Sequence, residues 1–270
     1  MNKFYVITNM KKDKNLEITE RIRKYIESQG KQCIMGTSDR GLPEGTDCVL
    51  VIGGDGTLIR AAREMHSYDI PLLGINMGTL GYLAEAEVHN LEETLEQLIC
   101  GTTKVEKRMM LKGVLNGETE EIALNDIVVN RLGELRVICF NLYVNGELLN
   151  SYQADGMIVS TPTGSTAYNL SAGGPIVEPT ASMIVITPIC PHALNTRSIV
   201  LSADDEIVIE ITPDREGNVQ SVGLSFDGEC HKEIHTGDRI VICKAKDTTE
   251  LLKLSDVSFL ETMRRKMKGN

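Results

Sequence analysis

Nine residues, Val49-Leu50-Val51-Ile52-Gly53-Gly54-Asp55-Gly56-Thr57, restrict this chain more than any other stretch. Four apolar residues, three of them β-branched, read as a buried strand that the glycines end abruptly. Beyond Thr57 the period changes. Leu58, Ala61, Ala62 and Met65 fall at helical spacing, so a helix follows the turn. Gly53, Gly54 and Gly56 let a ligand approach the backbone closely, and the free N–H groups and positive dipole end of the new helix favour phosphate there. Asp55 sits among these anion-attracting groups, which a turn built only to hold phosphate would not require. The plainer alternative is a tight strand-to-helix turn with Asp55 as helix cap.

Charge and composition narrow the function classes. A net charge of −10 argues against nucleic acid or an anionic membrane as the main partner. No apolar run approaches the roughly 18–20 residues needed to span a bilayer. The N-terminus lacks an export-type cleavage site and reads as a first strand. Seven cysteines, odd in number, scattered and never spaced C-x-x-C, point to reduced thiols in the cytoplasm. With no Trp and only 4% aromatic residues, base-stacking surfaces are disfavoured.

Taken in order, residues 4–9 form a strand, and Leu16, Ile18, Ile22, Tyr25 and Ile26 line one face of a helix that Gly30 closes. A strand over 31–35, a polar loop over 39–47, a strand over 71–76 and a helix over 90–99 complete an α/β domain, residues 1–101. Strands alternating with helices imply a parallel, Rossmann-like sheet covered on both faces. From about residue 103 to 246 the chain becomes mostly short β runs separated by turn signals such as Asn116-Gly117, Asn145-Gly146 and Asp227-Gly228. This predicts a mainly antiparallel β-sandwich domain over 102–249. The segment 250–270 ends in a basic amphipathic helix (Phe259, Leu260, Met263, Met267, with Arg264, Arg265, Lys266 and Lys268), expected to pack back on the N-terminal domain.

A second chemical segment runs from Asp155 to Pro175. Its strand, Met157-Ile158-Val159, turns at Thr161-Pro162-Thr163-Gly164 into an expected helix with Ser165, Thr166, Tyr168 and Ser171 in the first two turns. Hydroxyls and free N–H groups at a helix start suit phosphate, ribose and a purine edge, and the Tyr168 ring offers a stacking face. The same residues also simply make turns. Neither G-x-x-x-x-G-K-[ST] nor G-x-G-x-x-G after the first strand occurs. His231 and His235 read as part of a β-hairpin arm, where four residues span roughly 13 Å, too far to share one ion. No metal ligand is assigned to a protein side chain.

These residues carry a resemblance. Gly53-Gly54-Asp55-Gly56-Thr57 is shared by a superfamily of NAD kinases, diacylglycerol-type lipid kinases and 6-phosphofructokinases. Asn76-Met77-Gly78-Thr79-Leu80-Gly81-Tyr82-Leu83 resembles the N-x-G-x-L-G-F-L stretch of NAD kinases, with Tyr82 for the usual Phe. Leu124-Asn125-Asp126 stands where that family has an Asn-Glu pair, and Thr161 to Pro175 is similar to its second glycine-rich motif. The resemblance covers nearly the whole chain and points to the NAD kinase family.

The resemblance implies transfer of the γ-phosphoryl of ATP, or of polyphosphate, to the 2′-hydroxyl of the adenosine ribose of NAD, giving NADP, with a divalent metal such as Mg²⁺. It implies NAD lying between the two domains and a homodimer or homotetramer. Asp55 matches the proton acceptor, and Gly53, Gly54, Gly56 and Thr57 the phosphate loop, Gly56 also lining the NAD site. Asn125 and Asp126 match the pair that holds NAD, Asp126 with an arm one methylene shorter. Thr166, Ala167, Tyr168 and Ser171 match the contacts to adenine and ribose. Asp155 matches a residue reaching the nicotinamide half across a subunit boundary, and Arg60 and Arg136 match positions that often carry a basic contact. Two rivals remain at this point: a lipid kinase sharing the first motif, and a non-catalytic NAD-binding sensor.

Overall fold

A computed structural model describes every residue except 38–40, 79–80, 134–135, 194–195 and 268–270, together with all described side chains but that of Cys230. Part of the loop expected over 39–47, Thr79 and Leu80 of the asparagine–glycine motif, and Lys268 of the basic tail therefore lie outside the described residues. The chain forms two compact units, residues 1–108 with 247–270, and residues 109–246.

In the first unit the strands are β1 (Lys3–Thr8), β2 (Gln32–Gly36), β3 (Cys48–Gly53), β4 (Leu72–Asn76) and β5 (Ala86–Glu87). The helices are α1 (Glu17–Ser28), α2 (Asp55–Glu64) and α3 (Leu91–Cys100). The parallel strands are ordered β2-β1-β3-β4, with β5 beside β4. Alternation sorts the side chains. Phe4, Val6, Leu50, Ile52, Leu73 and Ile75 share one core with Ile22 and Ile26 of α1 and Leu91, Leu95 and Leu98 of α3. Helix α2 buries Leu58, Ala61 and Ala62, with Met65 buried at its C-cap, and packs on β3 and β4 outside that cluster. Every residue of β3 is buried, as a central strand covered on two faces requires. Truncating Leu50 to Ala there would cost about 2–5 kcal/mol.

From β1 the chain goes to one neighbour, β2, while β3 lies on the other side of β1. In such sheets ligands bind beyond the carboxyl ends of the strands, where the order reverses. The two loops at that point are residues 9–13 after β1 and the glycine bend after β3.

The remaining strands are β6 (Lys104–Leu115), β7 (Thr119–Ala123), β8 (Asp126–Arg131), β9 (Ile138–Val144), β10 (Glu147–Ala154), β11 (Gly156–Ser160), β12 (Met183–Ile189), β13 (Ile199–Ser202), β14 (Ile207–Ile211), β15 (Ser221–Phe226), β16 (Glu229–His235) and β17 (Arg239–Lys253). In the second unit, β10-β9-β14-β17 and β13-β12-β11-β8-β15-β16 pair antiparallel. Alternate residues of both sheets (Phe140, Leu142, Ile207 and Ile209 from one, Ile127, Val129, Met157 and Val159 from the other) meet in one core. The second unit is an antiparallel sandwich.

Three expectations need correction. The unit boundaries fall at 108/109 and 246/247, not at 101/102 and 249/250, and β6 and β17 run through them, 12 and 15 residues long. Those two strands are also far from short, because neither holds a turn signal: Asn116-Gly117 follows β6 and Gly237-Asp238 precedes β17. The helix expected after Gly164 is a 3₁₀ turn over Gly164–Thr166, broken at Ala167 (φ −100°, ψ −126°), then a single turn, α4 (Tyr168–Ser171). The last helix is α5 (Phe259–Met267). Among the described residues, no helix is long and apolar enough to cross a membrane.

Candidate active site

The glycine bend leaves β3 at Gly53 and enters α2 at once. Gly54, in extended conformation, is the N-cap residue, and Asp55 is the first residue of the helix. Asp55 is thus not the cap. Its carboxylate turns outward, accepting the N–H of Tyr82 at 2.7 Å and that of Leu83 at 3.4 Å. Gly81 makes this possible, since a Cβ there would stand 1.8 Å from Asp55 Oδ1. Gly53 is needed for a similar reason, its Cβ falling 2.5 Å from Thr57 Oγ1. Gly56 is different. It is exposed, with open space where its Cβ would be, which leaves the backbone bare to a ligand. The Lys266 ammonium of α5 lies 4.3 Å from the Tyr82 ring centroid and braces the loop that orients Asp55.

Sequence reading missed a cation at this bend. Asn9 donates to Thr57 Oγ1 at 3.1 Å, and its carbonyl accepts the N–H of Lys12. Buried Asp13 accepts the N–H groups of Ile18 and Thr19. The loop is therefore anchored at both ends, and it carries the Lys12 ammonium to 3.0 Å from where a Gly54 Cβ would be. Lys12 makes no ion pair among the described residues. Nothing local marks it, because the placement arises from a neighbouring strand. Arg60 is exposed on α2 and lines neither recess described below.

In the second unit, Leu124-Asn125-Asp126 forms the turn that enters β8. Asp227, between β15 and β16, accepts all three backbone N–H groups: Leu124 at 2.9 Å, Asn125 at 2.7 Å and Asp126 at 3.1 Å. From the other side the Asn125 carbonyl accepts the N–H of Thr161 at 2.8 Å, and Gly164 fits so closely that a Cβ would stand 2.1 Å from that oxygen. The two motifs read separately in the sequence are interlocked. Asn125 Oδ1 is buried without a hydrogen-bond partner among the described residues. Burial, reinforced by the Asp227 charge, pushes the Asp126 carboxyl up to about 7.

Asn125, Asp126, Ala167 and Tyr168 line one recess of about 380 Å³ with Asp227 and His231. That is room for a ligand group of nucleoside size. Tyr168 is 45% exposed, its ring available for stacking. Several hydroxyls serve the fold instead. Thr161 donates to the Leu124 carbonyl, Ser165 to the Pro162 carbonyl and Thr166 to the Thr163 carbonyl. Ser171 is exposed, and neither it nor Thr166 lines this recess. Arg136 and Asp155 meet in a separate recess with His192, Asp214 and Arg215, where Asp155 is paired to Arg131 Nε at 3.0 Å. Among the described residues, no three His, Cys, Asp or Glu side chains converge as a metal cage.

Comparison with known proteins gives a consistent result. Residues 3–103 match the model of the ATP-NAD kinase N-terminal domain, and residues 124–254 that of the ATP-NAD kinase C-terminal domain. The NAD kinase of Lachnospira eligens is 47% identical over 293 residues, spanning 99% of this chain and 100% of the relative. That of Agathobacter rectalis is 47% identical over 282 residues, spanning 100% and 99%. In fold, the chain resembles the crystal structure of yeast NADH kinase complexed with NADH, with a TM-score of 0.85, 23% identity, and 100% of this chain and 88% of that one covered. It likewise resembles an NAD kinase from Archaeoglobus fulgidus in complex with ATP, with a TM-score of 0.79, 24% identity and 98% of each chain covered.

Proposed function

The chain belongs to the NAD kinase family, and on that premise we infer that it transfers the γ-phosphoryl group of ATP to the 2′-hydroxyl of the adenosine ribose of NAD, giving NADP. The observation that carries this reading is the Asp55 carboxylate, held by the Tyr82 and Leu83 N–H groups at the point where the parallel sheet reverses its order. An alcohol is a weak nucleophile. A carboxylate within reach of the 2′-hydroxyl accepts its proton as the bond to phosphorus forms, a contribution of about 10²–10⁴-fold. The bare backbone at Gly56, the N–H groups opening α2 and the Lys12 ammonium supply donors and positive charge for the phosphates. Asn125 and Asp126 bind the dinucleotide through their side-chain polar atoms, and Tyr168 offers its ring to the base.

A divalent cation such as Mg²⁺ fits as a companion of the ATP phosphates, because it keeps several waters and requires no protein cage. When bound it neutralises phosphoryl charge. The reaction is assigned to the cytoplasm, in keeping with the free Cys33, Cys48, Cys100, Cys139, Cys190 and Cys243 thiols. Assembly into a dimer or tetramer, with Asp155 serving a neighbouring copy, is part of the same proposal.

The test is formation of NADP by the purified protein with NAD and magnesium, with ATP and polyphosphate as donors in parallel. NADP produced with ATP is the expected outcome. Phosphorylation of diacylglycerol instead, or tight NAD binding with no NADP under any donor or metal, would overturn the reading.

A further inference from the structure

We propose that Asp227 is the positioning residue of the dinucleotide site, its carboxylate holding the Asn125–Asp126 turn in binding geometry; the inference rests on the reaction assigned above. Three consecutive backbone N–H groups aim at this one side chain, Oδ2 accepting from Leu124 and Oδ1 from Asn125 and Asp126. The Asp227 N–H donates in return to the Asp126 carbonyl at 2.9 Å. Peptide groups entering a strand need partners when buried, and a carboxylate supplies two acceptor oxygens where an amide supplies one. Asp227 has φ of 52° and Gly228 of 69°, so a residue with a side chain occupies left-handed backbone at the tip of this hairpin. That conformation is unfavourable for most residues, and the three hydrogen bonds offset it.

What the clamp produces is a turn presenting polar atoms for a ligand. Among the described residues, Asn125 Oδ1 is buried and unpartnered, and Asp126 beside it is buried, 5% exposed. Both line the recess with Tyr168, whose ring faces the same space. Asp227 also acts through its charge. The ionisable groups around Asp126 in this recess are Asp227 and His231 from the β15–β16 hairpin and Tyr168 from α4. Of these, Asp227 is the one that opposes ionisation of Asp126, reinforcing its burial. One residue thus governs the geometry of the turn and the charge of its acid.

Asp227→Asn separates this role from a general effect on folding, because Asn tolerates left-handed backbone and keeps an oxygen for the Asn125 and Asp126 N–H groups. Its NH₂ then faces the Leu124 N–H, donor against donor. The expected result is a KM for NAD raised about tenfold, a KM for ATP within twofold of the parent (roughly 0.4 kcal/mol, one small surface effect), and a ¹³C titration midpoint of the Asp126 carboxyl below its parent position. The amide signals of Leu124, Asn125 and Asp126 should shift. NAD parameters, amide signals and titration all as in the parent would overturn the proposal, as would equal losses for NAD and ATP with a lowered Tm. If the parent itself made no NADP, the reaction assignment would fail, while the amide signals and the titration would still decide whether Asp227 holds the turn.

Discussion

Asp55 and Asp126 are two carboxylates in contrasting surroundings. Asp55 opens a helix, is half-buried, and has both oxygens turned toward backbone donors of a neighbouring loop. Asp126 opens a strand and is buried, while a second carboxylate works against its ionisation. The first is oriented and left in reach of solvent and ligand, as suits a group that takes up a proton. The second is desolvated and faces a like charge, as suits a group that waits for a ligand's hydroxyl. Residue type alone does not separate a base from a binding group; hydrogen-bond supply and burial do.

The contrast breaks most sharply at Asp55. Asp55→Asn should lower kcat by about 10²–10⁴-fold while the Kd for NAD changes little; parent-like turnover would remove Asp55 as proton acceptor. Gly81→Ala comes next. Its methyl would overlap the Asp55 carboxylate, so the loop must shift, and kcat should fall by about 10–100-fold with KM for NAD nearly unchanged.

Asp126→Asn sharpens the other side. The folded chain holds the Asp126 proton up to about pH 7, above the ordinary carboxylate value of 3.8, so between these values the native state binds more protons than the unfolded chain. This group's contribution to stability therefore falls as pH rises through that window. The variant should match the parent in Tm near pH 4 and exceed it by about 2–5 °C at pH 8. Thermal scans across pH check this, and a constant difference would mean that the two carboxylates do not differ as described. The smallest effect is expected for Lys12→Ala, which should raise the KM for ATP about two- to fivefold, as befits one exposed charge. No change in steady-state kinetics with ATP would leave the glycine bend without that cation.

Much of this was legible from local pattern. The apolar run into Gly53-Gly54 specified β3 and α2, because burial on both faces and a change of period are written in consecutive residues. Asn125 and Asp126 were found through the resemblance. Asp227 was read only as part of a turn, since its role depends on backbone donors 101–103 positions away. Lys12 escaped for the same reason, acting on a strand that is not its neighbour in the chain. The hydroxyl-rich segment misled in a different way. Ser165 and Thr166 are among the hydroxyls that suit a ligand by composition, yet both donate to carbonyls of the turn itself.

The first unit is assembled from both ends of the polypeptide. Leu251 of β17 pairs with Leu72, Leu252 enters the core of β1 and β3, and Lys266 rests on the ring of Tyr82. During synthesis the sandwich is complete once residue 246 has left the ribosome, whereas the parallel sheet still lacks its final pieces. The loop that holds the Asp55 carboxylate is therefore braced last, so a nascent chain or a fragment truncated before β17 ends carries the glycine bend without its finished support.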